Sequence, residues 1–168
     1  FGRFGQILGR VLNARGINYT AVDRSPEQVQ LVRRFGNMVY FGDIARRSLL
    51  EKANAEQARV LALCIDDVEA SITAVELVRK HYPHLRIFAR ARNRFHETRL
   101  RELGVDYVIR ETLLSSLDFT RAVLQGVGVK DTEAQHAVAT FRAQDHKLLQ
   151  QQAALLGKDE SFYIQSTQ

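Results

Sequence analysis

Gly2 and Gly5 stand three residues apart at the head of a segment with apolar residues at Ile7, Val11 and Leu12. This is the spacing of the last two glycines of G-x-G-x-x-G, where a strand turns into a helix. The first of the pair lets backbone approach a pyrophosphate, and the second lets the helix pack closely on a sheet. The helix then offers unpaired N–H groups and the positive end of its dipole to phosphate. Arg3 and Phe4 lie in the same turn. Asp23 follows Gly2 by 21 residues and ends the next apolar run. From that position a carboxylate accepts bonds from both ribose hydroxyls, although it could equally cap the helix that opens at Pro26. Arg24 could stack on adenine or meet a 2′-phosphate. Asp23 would repel such a phosphate, which favours NAD(H) or AMP over NADP(H). Asp43 and Asp66 end two further apolar runs. Ligands of open α/β sheets bind outside the carboxyl ends of strands, so Asp43 is placed toward the adenine end and Asp66 toward the ribose or phosphate edge. Asp is also a favoured helix N-cap, which is the competing reading for both.

Chemistry beyond binding is hard to find. No tyrosine is followed four places on by lysine, as a short-chain dehydrogenase would need. His81 and His84 flank Pro83 at a helix end, where a cation near the dipole is explanation enough. His136 and His146 have no acid–base partner suggested by spacing. Cys64, the single cysteine, sits in the most apolar run and reads as a small buried hydrophobe. It excludes a disulfide scaffold and a multi-cysteine metal centre. No metal site and no catalytic set are expected, and a nucleotide cradle without catalysis suggests a sensor.

The elements that must hold these residues are legible in the pattern. Apolar runs at 17–23, 38–42, 59–65, 86–91 and 106–109 alternate with helical segments at 26–35, 46–53, 67–81 and 94–103. Such alternation means βαβ units and a parallel sheet covered on both faces. The expected fold is α/β, a Rossmann-like doubly wound parallel sheet whose first strand would precede Phe1. Beyond residue 112 the strands stop. Helices at 113–124 and 132–156 form an appendage, so the expected division is a nucleotide-binding domain at 1–112 and a helical dimerisation and effector segment at 113–168. The 113–124 helix carries apolar residues at 113, 114, 117, 123 and 124, with Phe119 between, and needs a surface beyond its own sheet. A symmetric dimer supplies one.

Composition bounds the rest. The 168 residues are 45% hydrophobic and 26% charged, which is ordinary for a globular domain and excludes a disordered chain or a coiled-coil rod. No apolar run approaches 18 residues, and no signal peptide opens the chain. The net charge is +5, with 19 Arg against 5 Lys, and eight of the arginines lie between 79 and 110. Arg is favoured where a planar fork must hold a carboxylate or phosphate. Arg90 and Arg92 read as one face of a strand, as an anion site would want. No aromatic-interleaved basic platform accompanies them, so nucleic acid is not expected as a partner.

FGRFGQILGRVL, AVDRSPEQV, FGNMVYFGD, CIDDVEASI, RIFARARN and LRELGVDYVIRET, in this order, resemble the KTN/RCK regulatory domains of bacterial potassium transport. The resemblance spans about residues 1–150 and is closest to the cytoplasmic C-terminal domains of the Kef glutathione-gated potassium efflux antiporters. It implies a ligand-sensing regulatory domain rather than an enzyme. The domain would sit on the cytoplasmic face of the bacterial inner membrane, joined to a transmembrane antiporter domain of the same protein. It implies a homodimer, with NAD(H) or AMP at the Gly2/Asp23 site. It also implies glutathione or its conjugates as effector, set against arginines matching Arg10 and Arg110. A third contact, an Asn of the tail helix, falls at Asp145, where an acid stands in place of a neutral amide. The alternatives are a regulatory subunit of a potassium uptake system and a fragment of an NAD-dependent oxidoreductase. The oxidoreductase would need a proton donor and a substrate domain.

Overall fold

A computed structural model describes residues 1–34, 36 and 38–156, the last five by their backbone alone. The elements run α1 (Arg3–Ala14), β1 (Thr20–Asp23), α2 (Pro26–Arg34), β2 (Met38–Phe41), α3 (Arg47–Lys52), a single 3₁₀ turn (Ala55–Gln57), β3 (Val60–Leu63), α4 (Val68–His81), β4 (Arg86–Ala91), α5 (Arg94–Glu102), β5 (Tyr107–Arg110), α6 (Leu113–Gly126) and α7 (Asp131–Leu156). Each segment expected from the pattern is present, with strands shorter by one to three residues at their ends. The expected end of α2 at Phe35 and the segment 157–168 lie outside the described residues.

The helices begin where their sequence allows. Ser25 accepts the Gln28 N–H at 3.3 Å, and Pro26 opens α2 where its missing N–H costs nothing. Asp67 caps α4 by accepting the Ala70 N–H at 2.8 Å, and Asn93 caps α5 by accepting from His96 at 2.9 Å. Basic residues close α4 at Arg79, Lys80 and His81, complementing the carbonyl end of the dipole.

β1 pairs in parallel with β2, placing Asp23 opposite Phe41, and β3 pairs in parallel with β4, placing Leu63 opposite Ala89. The sheets are two, β1-β2 and β3-β4-β5, where one was expected. In the doubly wound order 3-2-1-4-5-6 these strands occupy the second to sixth places. The first strand belongs between β1 and β3, and among the described residues no strand lies there. Ala21, Val29, Val32 and Val39 form a core cluster under the first sheet, with Phe1 and Tyr19 packed against it.

The chain divides into two compact units, Phe1–Arg90 with Val105–Tyr107, and Ala91–Gly104 with Val108–Gln168. The cut therefore passes through β4 and β5, whereas the composition change lies after residue 112. The second unit takes α5 because α5 and α7 are tied by charge, as the site geometry below shows.

Gly42 follows β2 at φ +146°, donates its N–H to the Asp23 carbonyl at 2.9 Å, and would bring a Cβ to 3.0 Å from a Leu49 methyl. A side chain there is both strained and crowded. Gly42→Ala should destabilise the chain by roughly 1–3 kcal/mol, read as a fall in melting temperature of about 2 °C or more.

Candidate functional site

The first unit brings the sequence-nominated nucleotide residues to the strand carboxyl ends. Gly2 is the N-cap of α1, and α1 has no side-chain cap and no acid in its first turn. A Cβ on Gly2 would meet nothing within 4 Å. The helix end is thus open backbone with a positive dipole, which suits a phosphate. Arg3 is exposed and Phe4 half-buried in the same turn. Gly5 is buried, and a Cβ there would make ordinary contacts, 3.5 Å from the Phe1 ring and 3.6 Å from Cys64. The close approach falls one turn on, at Gly9, where a Cβ would lie 2.5 Å from the Phe1 ring and 2.7 Å from the Tyr19 hydroxyl.

Asp23 ends β1 with one oxygen accepting the Ser25 N–H at 2.8 Å and the other paired to the Phe1 amino group. Asp43 accepts the Ala45 N–H at 2.9 Å and lies 3.2 Å from Arg24, so these two nominated residues form one ion pair. Asp66, exposed, pairs with Arg90, which is only 4% exposed. The Arg90 guanidinium also lies over the Phe4 ring at 5.6 Å, a cation–π distance. Arg90 therefore ties the end of β3 to the first turn of α1, a link that sequence spacing did not indicate. Arg90 and Arg92 do not share a strand face. β4 ends at Ala91, and Arg92 is exposed in the other unit. Burial pushes the nearby Cys64 thiol up from its usual pKa, against a smaller opposing pull from positive charge.

Arg10 lies exposed on α1, beside a small recess with Gln6, Asn13 and Tyr19. Arg110 and Asp145 belong to the second unit and meet there. Arg110 ends β5 and sets both terminal nitrogens on the Asp145 carboxylate, one of them at 3.2 Å. Its Nε lies 2.9 Å from Glu97. Arg94, at the start of α5, donates to the same Asp145 oxygen through Nε at 2.8 Å and Nη2 at 2.6 Å. Glu97 also accepts from Arg101 through Nε at 3.0 Å and Nη2 at 2.7 Å. Asp145 is 3% and Glu97 5% exposed. Beside the cluster a cavity of about 550 Å³ is walled by Arg94, Arg110, Ser116 and Thr120 on a polar side and by Leu117 and Phe141 on an apolar one. Arg94 and Glu97 were not nominated from sequence. Their only signal was the Arg-rich run itself, in which all eight arginines from 79 to 110 stand against a carboxylate of this chain.

Comparison with known proteins then becomes informative. Residues 1–111 match the TrkA-N domain model, and residues 115–168 match the model of the potassium efflux system KefB C-terminal domain. The chain belongs to the TrkA-N family, as a member whose tail is of the KefB C-terminal type. It is 39% identical over 153 residues to the glutathione-regulated potassium-efflux system protein KefC of Escherichia coli O139:H28 (strain E24377A / ETEC), covering 91% of this chain and 25% of that protein. The chain thus spans about a quarter of the length of such relatives. Among solved structures it is similar to the Shewanella denitrificans Kef CTD in AMP-bound form, with a TM-score of 0.81 and 40% identity over 92% of this chain and 94% of that one. The TrkA-N domain of the inner membrane protein ybaL from Escherichia coli gives a TM-score of 0.65 at 26% identity, over 74% of this chain and 89% of that one. Among the described residues no helix is long and apolar enough to cross a membrane, and no cluster of metal-ligating side chains occurs.

Burial alone would raise the Asp145 pKa. Bonds from Arg110 and Arg94 and their charges outweigh it and hold the carboxyl below the usual carboxylate range. A depressed carboxylate stabilises the fold above its unfolded pKa, near 3.9, and that contribution is lost as pH falls through the lower folded value. Asp106, held low by the Ile87 N–H and by Arg79, acts in the same direction. Denaturant titrations from pH 6 to pH 3 should show stability falling below about pH 4. Asp145→Asn should make that fall shallower and leave the share due to Asp106.

Proposed function

We propose that this domain is the cytoplasmic sensor of a bacterial potassium efflux antiporter, binding an adenine nucleotide at the head of α1 and regulating a transmembrane part of the same protein. The observation that carries this reading is the convergence of an uncapped, acid-free helix N-terminus with Asp23, Asp43 and Asp66 at the carboxyl ends of three successive parallel strands. The likeness to an AMP-bound Kef CTD over nearly its whole length supports AMP as the nucleotide, and NAD(H) fits the same half of the site. In that arrangement the N–H groups of the first α1 turn receive phosphate, Asp23 takes the ribose hydroxyls, and the Arg24–Asp43 pair flanks the adenine. Arg90 holds Asp66 and Phe4 in register beside the phosphates. None of these groups is a proton donor or nucleophile poised for turnover, so binding is the event and the domain is not an enzyme.

The second unit supplies the effector and assembly functions. The cavity bounded by Arg94, Arg110 and Phe141 is the place for an effector of the glutathione class, a regulator named for KefC itself. α6 and α7 expose Phe119 (70%), Val123 (47%) and Phe141 (49%), a surface that a second copy would cover. The chain should therefore scatter light as a dimer at tens of micromolar, and a monomer at that concentration removes this part of the reading.

Nucleotide binding is tested by thermal shift. AMP or NADH at about a hundred times its dissociation constant should stabilise the chain by about 2.7 kcal/mol. Asp23→Ala should remove most of that shift. An unchanged melting temperature in millimolar AMP and NADH would falsify the nucleotide site, and steady hydride transfer to a small substrate would favour an oxidoreductase instead.

A further inference from the structure

A guanidinium holds a carboxylate most strongly along an edge that presents two N–H groups at once. Arg110 has two such edges in use. Its terminal pair faces Asp145, and its Nε side faces Glu97. Arg94 spends its Nε–Nη2 edge on Asp145 as well. A carboxylate offers about four lone-pair positions, and Asp145 receives four donors from these two side chains. Asp145 is buried and does not line the cavity, whereas Arg94 and Arg110 do. The two cations that an anion entering this cavity would seek are therefore already engaged from behind.

We propose that Asp145 is a built-in anion of this cavity, filling from within the chain the carboxylate position on which Arg94 and Arg110 converge, so that an anionic ligand gains these two arginines only by displacing it. Asp145 then sets specificity: it discriminates against ligands that rely on a carboxylate alone and leaves the apolar wall at Leu117 and Phe141 to select among those that can compete. The contact also couples binding to the packing of α7. Releasing Asp145 loosens the tie that α7 makes to α5 and β5, and a ligand that replaces Asp145 must loosen that tie in proportion to its affinity.

The test separates this proposal from the effector reading of the same cavity. Asp145→Ala leaves a carboxylate-sized gap between two arginines, and formate is the probe that fits it. In sodium formate, against sodium chloride at equal ionic strength, the melting temperature of the variant should rise by at least about 2 °C, while that of the wild type should move less than half as far. Equal shifts in the two proteins, or none in the variant, overturn the built-in anion. Asp145→Ser is the second variant, and if both fold poorly, folded protein must be recovered in formate and not in chloride. Failure to recover it also overturns the proposal. Reduced glutathione is then titrated into wild type and variant. Binding tighter in the variant by about tenfold or more shows that the effector displaces Asp145. Equal affinity overturns displacement and leaves the effector site standing. Formate rescue with no glutathione binding in either protein keeps the built-in anion and removes the effector reading.

Discussion

Parallel strand pairing is the constraint from which the rest of this chain follows. A parallel neighbour is reached only by a crossover, and in this chain every crossover contains a helix. The carboxyl ends of β1 and β2 therefore point the same way, as do those of β3 and β4, and each strand hands over to a helix N-terminus. A helix N-terminus needs an acceptor for its unpaired N–H groups, and a short acidic or amide side chain is the cheapest one. Asp67 and Asn93 meet that need for α4 and α5. Asp23 and Asp43 do the same work in the turns after β1 and β2, accepting from Ser25 and Ala45. The residues that a nucleotide would use are thus residues the fold already requires, and each keeps one oxygen for its structural bond while the second is set toward a charge.

The second unit is organised by a different force. Its cores at Leu100, Val108, Leu117, Ala134 and Leu149 are ordinary apolar burial. What sets α7 against α5 and β5 is an ionic cluster with almost no solvent access. Two buried acids stand among three arginines, so no member carries an uncompensated charge. Such a cluster adds little net stability over an apolar equivalent, but losing one partner is costly, by roughly 3–5 kcal/mol, because the remaining charge stays buried. It behaves as a specificity device for the docking of α7, and Arg suits it better than Lys because the guanidinium holds its partners along flat edges.

Much of this was legible in the amino-acid order. The alternation of short apolar runs and amphipathic segments placed every strand and helix, because period and turn residues are local properties. Asp23, Asp43 and Asp66 could be nominated because strand ends are visible as the points where apolar runs stop. The partnerships were not legible. Arg90 as the partner of Asp66 and Phe4, and Arg94 and Glu97 as partners of Asp145 and Arg110, depend on which strand neighbours which and on where α7 lies. Sequence separations of 24, 51 and 35 residues carry no trace of those contacts. The same limit explains Gly5 and Gly9. The motif spacing points to Gly5 for close packing, while the contacts of the Phe1 and Tyr19 rings put the tight spot one turn further along α1.

The abundance of arginine shows how a composition signal is resolved by geometry. Eight arginines within 32 residues suggest an external anion. In the folded chain each of the eight faces an internal acid, and the most buried two, Arg90 and Arg110, face theirs at the ends of strands. A cation so placed is an anion receptor whose first ligand is the protein itself. Any outside anion, whether nucleotide phosphate near Arg90 or an effector carboxylate near Arg110, must then exchange with Asp66 or Asp145 rather than fill a vacant position. Exchange converts binding into a change of internal pairing, and a change of internal pairing moves the elements that the pair joins: β3 and the head of α1 in one unit, α5 and α7 in the other. That is the physical requirement for a ligand to be sensed and not merely held.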